Sequence, residues 1–432
     1  MFLGSDCGIQ NLCSIMNAIE PVTRFYVETK INKLCGKEQI KELFGTFSQK
    51  STWKVEDVIK VLVHACVENT SIEDVCTSNN MPSADTVHRR LAELNVELLD
   101  EFANEWIQDI SSRVRFHRNT KVSVSLDIHE IPFYGDFDKE WINGMKRKEG
   151  TSYAIKFLSA TISTGTIRLP VALIYLTKER NSRIPEYVEA IINDLQLWIQ
   201  IDRVFLDRGF CSNEIIEFLE SRGLEYIIAA VRRFDILEAT NTIQATVKEM
   251  AKETGIDSKN DYEVGKWARK HKVDAFYVDY VSTGRNLHPV RLVAVYVRQR
   301  TNNMDPLKRW TYSLFLYLTN IHHSARYIVK QYAKRWIIET DYKCIREFQA
   351  VSNSRIPQTR ILLFSLSVAL DALWVVTSVL SNHIKRRVVK IINEETIFQI
   401  YQSFSLPFTG RWFKRFIRDE IIPLQIFREL NA

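Results

Sequence analysis

The sequence predicts an α/β protein, a mixed sheet covered by helices behind a helical N-terminal region. Three observations lead there. The first hundred or so residues carry apolar side chains at helical spacing. From Lys121 the texture changes to β-rich runs. Beyond Tyr153 those runs follow the order strand, strand, helix, strand, helix, strand, the pattern of a sheet with helices packed on it.

In the N-terminal region, 1–112, Val55 to Val67 is amphipathic. Ser71 opens a further helix, with Asp74 three residues on as a capping box. The Asn79-Asn80-Met81-Pro82 turn leads into a helix from Ser83 to Asn95 that shows His88, Arg89 and Arg90 on its exposed side. Short helices, a tight turn and a basic last helix resemble a helix-turn-helix module, so Arg89 and Arg90 are candidate DNA contacts.

The next region, 113–231, opens with an alternating strand from Val122 to His129. Tyr153 to Ile162 and Ile167 to Leu176 form a hairpin about Ser163-Thr164-Gly165. Pro185 to Gln200 reads as a helix, and Arg203 to Asp207 as a short buried strand. Ser212 to Arg222 is a helix stopped by Gly223, and Glu225 to Val231 a further strand. Residues 232–306 break the alternation and read as an inserted, partly β subdomain. It is loosely helical at Ala245 to Lys252 and has strands at Ala275 to Val281 and Val290 to Val297. Over 307–385 a strand, Thr311 to Thr319, precedes helices, and 386–432 is a basic helical tail. Ile361 to Leu380 is almost wholly apolar but carries Asp371 at its centre, which favours a buried core helix over a membrane span.

With 432 residues, 46% hydrophobic and 25% charged, the chain has the composition of a folded globular protein and not of a disordered one. The net charge of +6 is unevenly placed. Arg326 to Arg360 holds eight Lys/Arg against three acids, and Lys385 to the end nine against five, so a polyanion would dock on the C-terminal third. The seven cysteines form no CxxC pair and no cluster with histidine at zinc spacing. No secretory signal is evident, which leads to an expectation of a cytoplasmic, nucleoid-associated protein with no membrane partner. A phosphate-binding glycine loop is also absent from the sequence.

The chemistry concentrates in three acids. Asp127 lies near the end of the first strand and Asp207 at the end of the fourth. Strands that end side by side in such a sheet bring their last side chains to a common edge. Glu339 follows in a helix-patterned run in which Tyr332, Arg335, Glu339 and Arg346 fall within an arc of roughly 60°. Ile337, Ile338, Ile345 and Phe348 take the other side. Lone carboxylates flanked by cations and a phenol suit a metal-dependent site on a nucleic-acid backbone. The plainer alternative for Glu339 is a surface pair with Lys343. His129 shares the face of Asp127, and Asp136 and Asp138 are rival loop acids.

Together these features resemble the DDE transposases of bacterial and archaeal insertion sequences, in the branch with a ribonuclease-H-like core and a β insertion before the final Glu. Tyr332, Arg335 and Glu339 match that branch's Tyr-x2-Arg-x3-Glu-x6-Lys signature, and position 346 is Arg where the signature has Lys. Asp207-Arg208-Gly209-Phe210 and Thr319-Asn320-Ile321 are similar to its other segments, and the resemblance spans roughly Lys121 to Leu380. It implies that Asp127, Asp207 and Glu339 are the catalytic triad and hold two Mg²⁺ or Mn²⁺ ions. It implies that Tyr332, Arg335 and Arg346, with Lys343 as a stand-in, hold DNA phosphates. The expected function is cleavage at transposon ends and strand transfer, with double-stranded terminal repeats and target DNA as partners and a homodimer on DNA. The alternatives are a catalytically inactive, transposase-derived DNA-binding regulator and a ribonuclease-H-like nuclease. Some family members cut by a hairpin route and stack a flipped base on an aromatic residue, for which Trp267 and Trp310 are nearest, though either reads equally as core.

Overall fold

The computed structural model describes residues 26–27, 29–31, 43–44, 52–77, 81–114, 116, 120–135, 140–164, 167–231, 234–281, 289–300 and 310–389. Asp136, Asp138, the Asn79-Asn80 turn and the basic tail beyond 389 lie outside these residues. The chain divides into two compact units. The first comprises Met1–His117, Ile128–Asn181 and Thr340–Ala432, and the second Arg118–Asp127 and Ser182–Glu339.

In the first unit, helices α1 (Val55–Glu68), α2 (Ile72–Cys76), α3 (Ala84–Ala92) and α4 (Val96–Ser111) follow in succession. The anticipated capping box is present: the Ser71 hydroxyl accepts from the Asp74 amide at 3.1 Å, and the Asp74 carboxylate accepts in return from Ser71. Helix α3 buries Val87 and Leu91 and leaves Arg89 exposed, while Arg90 pairs with Glu93 at 3.1 Å. The strand β1 (Lys121–Pro132) enters this unit with its last five residues. It is joined there by β2 (Asn143–Lys148), β3 (Thr151–Thr164) and β4 (Ile167–Leu176). Strands β3 and β4 pair antiparallel as far as Thr164 opposite Ile167, which fits the expected hairpin.

The long apolar helix is α11 (Pro357–Val389), packed on α4, β4, α1 and α3. Its stretch Pro357–Leu380 is long and apolar enough to cross a membrane, but 83% of the most apolar window is buried inside the protein. Asp371 is fully buried there, and burial favours its neutral form. The Arg168 guanidinium donates to Asp341 at 2.8 Å and stands 4.0 Å from Asp371, and Thr161 donates to Asp341 at 2.7 Å. Burial, and after it the neighbouring Asp341 carboxylate, hold the Asp371 carboxyl well above the usual carboxylate range.

The second unit is built on the other end of β1. Residues 121–126 pair in parallel with β5 (Gln200–Leu206), and β5 in parallel with β6 (Glu225–Ala229). Antiparallel strands complete the order β1-β5-β6-β9-β8-β7, with β7 (Ala275–Val281), β8 (Pro289–Arg300) and β9 (Trp310–Thr319). Helices α5 (Ile184–Gln196) and α6 (Asn213–Ser221) connect the parallel strands. Helix α5 is shorter than its apolar spacing suggests, because Gln200 already begins β5. Gly223, at φ +64°, closes α6 as expected, its amide donating to the Glu220 carbonyl at 2.9 Å. The inserted region is more helical than its polar sequence implies: α7 (Phe234–Glu253) and α8 (Asp261–Lys270) precede its strands.

Helix α9 (Ala325–Tyr332) leads to a 3₁₀ turn at Ala333–Arg335, then to α10 (Trp336–Ile345) and a second 3₁₀ turn at Arg346–Phe348. The single continuous helix read from the signature spacing is therefore interrupted twice. The reason is burial: Tyr332 and Arg335 are each only 8% exposed, and the tight turn rotates both inward.

The run Thr319-Asn320-Ile321 staples this region to the sheet. Thr319 donates to the Tyr226 carbonyl at 2.6 Å and accepts from the Ile321 amide at 3.1 Å. Asn320 accepts from the Tyr226 amide and donates to the Leu224 carbonyl. Replacing Thr319 by Val leaves that carbonyl and amide unpaired in a fully buried site. The expected cost is about 1–3 kcal/mol, read as a lower denaturant midpoint with unchanged slope.

Candidate active site

The last residue pair of the β1–β5 ladder is Leu126 opposite Leu206. One step further along the same register sets Asp127 beside Asp207. Asp207 directly follows the end of β5, whereas β1 runs on to Pro132, so Asp127 lies within its strand and not near its end. Both carboxylates are half-buried. Asp207 keeps an extended backbone (φ −81°, ψ 177°), after which the chain turns sharply through Arg208–Phe210. Phe210, 1% exposed, anchors that turn in the core, and its amide donates to the Asp207 carbonyl at 3.1 Å. Arg208 is exposed and makes no ion pair with Asp207.

Tyr332 ties the helical segment to the same strand end. Its hydroxyl donates to the Leu206 carbonyl at 3.3 Å, and its ring packs on Tyr317 with centroids 4.7 Å apart. Burial raises the Tyr332 phenol well above its ordinary range, against the pull of Arg335. It is a neutral hydroxyl at physiological pH. Three residues on, Arg335 donates to Glu339 Oε1 at 2.9 Å, and its guanidinium lies 5.5 Å from the Tyr332 ring. Glu339 thus pairs with the residue four before it and not with Lys343.

Arg335 is acted on by all three acids. Burial alone would lower its pKa. The Tyr332 phenol and then Asp207, Asp127 and Glu339 act the other way, and the net shift is upward. The guanidinium is therefore permanently charged, with Glu339 in contact and Asp207 and Asp127 adding to the negative field on it. Its Nε is buried without a hydrogen-bond partner. The donor chemistry suits a divalent ion, since three carboxylates offer the hard oxygen ligands that Mg²⁺ and Mn²⁺ take. Yet among the described residues no three acids are gathered closely enough to share one ion. Arg335 is the cation that all three act on.

An open cleft of about 770 Å³ runs from Asp207 and Arg335 along β8 and β9 of the same unit. Val297, Phe315, Tyr317 and Trp336 give it an apolar wall, while Arg208 and Arg298 stand at its rim.

The chain matches the model of the transposase DDE domain over residues 119–363, more than half its length. It belongs to that family. The structure of piggyBac transposase in a synaptic complex with hairpin DNA superposes with a TM-score of 0.52 at 12% identity, covering 91% of this chain and 84% of that one. It shares the fold of this transposase, a mixed α/β, ribonuclease-H-like core, as the strand order predicts. The Drosophila P element transposase strand transfer complex is also similar, at 10% identity over 52% of this chain and 49% of that one, with a TM-score of 0.24. None of the curated proteins compared matches the chain.

The remaining expected residues of the transposase are placed as follows. Lys343 and Arg346 are exposed and belong to the first unit, where the Arg346 carbonyl accepts from Asn69 at 2.7 Å. His129, also in that unit, is packed between Tyr342 (4.3 Å) and Phe364 (5.0 Å). Burial, helped by Arg346 and Lys148, pushes its pKa down to about 4, so it is a neutral packing group. Trp267 is core, 8% exposed and stacked on His271. Trp310 is 39% exposed, but the Arg298 guanidinium sits 4.2 Å over its ring. Arg298 was not marked by the sequence reading. The available signal is that Arg298 and Arg300, two apart, place charge on one face of an otherwise apolar strand.

Tyr332→Phe removes the bond to Leu206 and keeps the ring. The expected loss is about 1 kcal/mol in folding stability, measured by chemical denaturation.

Proposed function

We propose that this transposase is catalytically active, and that it cuts DNA at the ends of its element and joins them to a target with the help of a divalent cation. The reading is supported by the match to the transposase DDE domain over residues 119–363, and by the pull that Asp207, Asp127 and Glu339, far apart in sequence, all exert on the Arg335 guanidinium. The family generally uses divalent metal ions. A Mg²⁺ or Mn²⁺ pair held by these three carboxylates would supply an activated water or 3′-hydroxyl and would stabilise the leaving oxygen.

The chain's own residues account for the rest. Asp127 and Asp207 each follow directly on the last residue pair of the β1–β5 ladder, so backbone hydrogen bonds set the separation of their main chains. Tyr332 holds the Glu339 segment against β5 through Leu206. Arg335 is the group next to the carboxylates that can take a phosphate, because its planar fork of donors matches phosphate oxygens. The exposed Arg346, Lys343 and Arg89, with the partly buried Arg90, are assigned to DNA backbone contacts further from the reacting bond. Arg346 keeps the charge of the signature lysine and adds a bidentate geometry. A homodimer on DNA follows from the need to pair two ends.

The test is divalent-metal-dependent nicking of a duplex carrying the element's terminal repeat. Asp127→Asn or Asp207→Asn should reduce nicking by more than the roughly 10–100-fold typical of losing an outer-shell partner, with end binding retained. Specific binding without cleavage by the wild type would instead identify an inactive regulator. For the backbone contacts, Arg346→Ala should weaken binding to all sequences alike and lower the salt slope of log K by about 0.9. An unchanged slope would remove Arg346 from the interface.

A further inference from the structure

The Arg335–Glu339 pair bears directly on how metal enters. A carboxylate bound to a guanidinium at 2.9 Å has one oxygen committed to that partner. Asp207 and Asp127 add to the negative field on the same guanidinium. Any divalent cation arriving at the trio meets a fixed positive charge, and repulsion between like charges in a partly buried site is screened little. Arg335 is 8% exposed, and its buried Nε has no hydrogen-bond partner, so the guanidinium keeps donor capacity that Glu339 does not use.

We propose that Arg335 is a built-in counter-cation, which withholds Glu339 from a divalent ion until a DNA phosphate draws the guanidinium away. The inference rests on the reading of the three carboxylates as metal ligands. In the protein without DNA, Arg335 neutralises part of the trio's charge and occupies Glu339, so metal affinity is low. A phosphate entering the site gives the guanidinium two acceptor oxygens in exchange for one carboxylate oxygen. Glu339 is then released at the moment when the substrate is in place. Metal loading and DNA binding thereby favour each other, as reciprocal linkage requires. Arg335 acts here as a positioning residue. The consequence is that free enzyme is poorly charged with metal and spared from cutting at random.

Manganese binding by the full chain, followed by electron paramagnetic resonance, tests this without any turnover. With Mn²⁺ alone, Arg335→Gln should bind at least tenfold more tightly than wild type, and Arg335→Lys, which keeps the charge, should stay near wild type. A saturating short duplex of arbitrary sequence at low salt should tighten Mn²⁺ binding by wild type and not by Arg335→Gln. Glu339→Gln with the same duplex serves as the reference for manganese held by DNA itself. Arg335→Gln affinity equal to or below wild type, with binding that Asp127→Asn still removes, would overturn the gate and leave the triad standing. Tighter binding that survives Asp127→Asn would place the ion elsewhere and overturn both readings. If Arg335→Gln does not fold, the wild-type arm decides: Mn²⁺ affinity indifferent to the duplex contradicts the proposal.

Discussion

The ion pair between the buried Arg335 and Glu339 is the interaction on which the site in the second unit depends. A half-buried carboxylate needs an opposite charge beside it. Arg335 supplies that charge, and the fold pays attention to its placement. The tight turn at Ala333–Arg335 swings the side chain inward, and Tyr332 beside it is tied to the end of β5. A lysine in this position would present a mobile, strongly hydrated point charge, whereas a planar guanidinium reaches several oxygens at once.

The sheet supports the arrangement from below. Phe205, Ile227, Ala229, Val293, Val295 and Tyr317 form one buried cluster with Ile321, Ala325, Ile328 and Tyr332. Helix α9 is therefore seated on the same apolar surface from which the strands carrying Asp127 and Asp207 emerge. The Thr319-Asn320-Ile321 staple sets where α9 begins, and its register on the sheet decides where Arg335 and Glu339 fall. Inserted between β6 and β9 in sequence, the β7–β8 region extends the sheet and contributes the Arg298 rim of the cleft. An insertion there can vary without disturbing the strand ends that carry the two aspartates.

The sequence shows much of this. Asp207 is legible because a short buried strand with an acid at its end is recognisable from alternation and flanking turns. Asp127 is legible only as an acid in an alternating run, since β1 continues past it to Pro132. Glu339 is legible because Tyr332, Arg335 and Glu339 share a helical face. What is hidden is which way that face points. Helical spacing puts Tyr332 and Arg335 on a polar side and suggests exposure, while the structure buries both. Their hydrogen-bond and ionic partners, Leu206 and the three acids, come from distant parts of the chain and leave no local periodic signal. Helix α8 escapes notice for a similar reason. Its polar sequence has few apolar positions, and its seat on β9 depends on Gly265, where any side chain would collide with Tyr312. The packed state of His129 likewise follows from Tyr342 and Phe364, more than two hundred residues away.

The central claim is that Asp127, Asp207 and Glu339 form one divalent-cation site. Loading the protein–DNA complex with Fe²⁺ and adding ascorbate and peroxide generates hydroxyl radicals at the bound ion, which cut the nearby backbone. This account predicts cuts clustered at three places, near 127, 207 and 339, all suppressed by excess Mg²⁺ and all lost together in Asp207→Asn. Cuts confined to other parts of the chain, or three positions that respond independently to the single substitution, would contradict it.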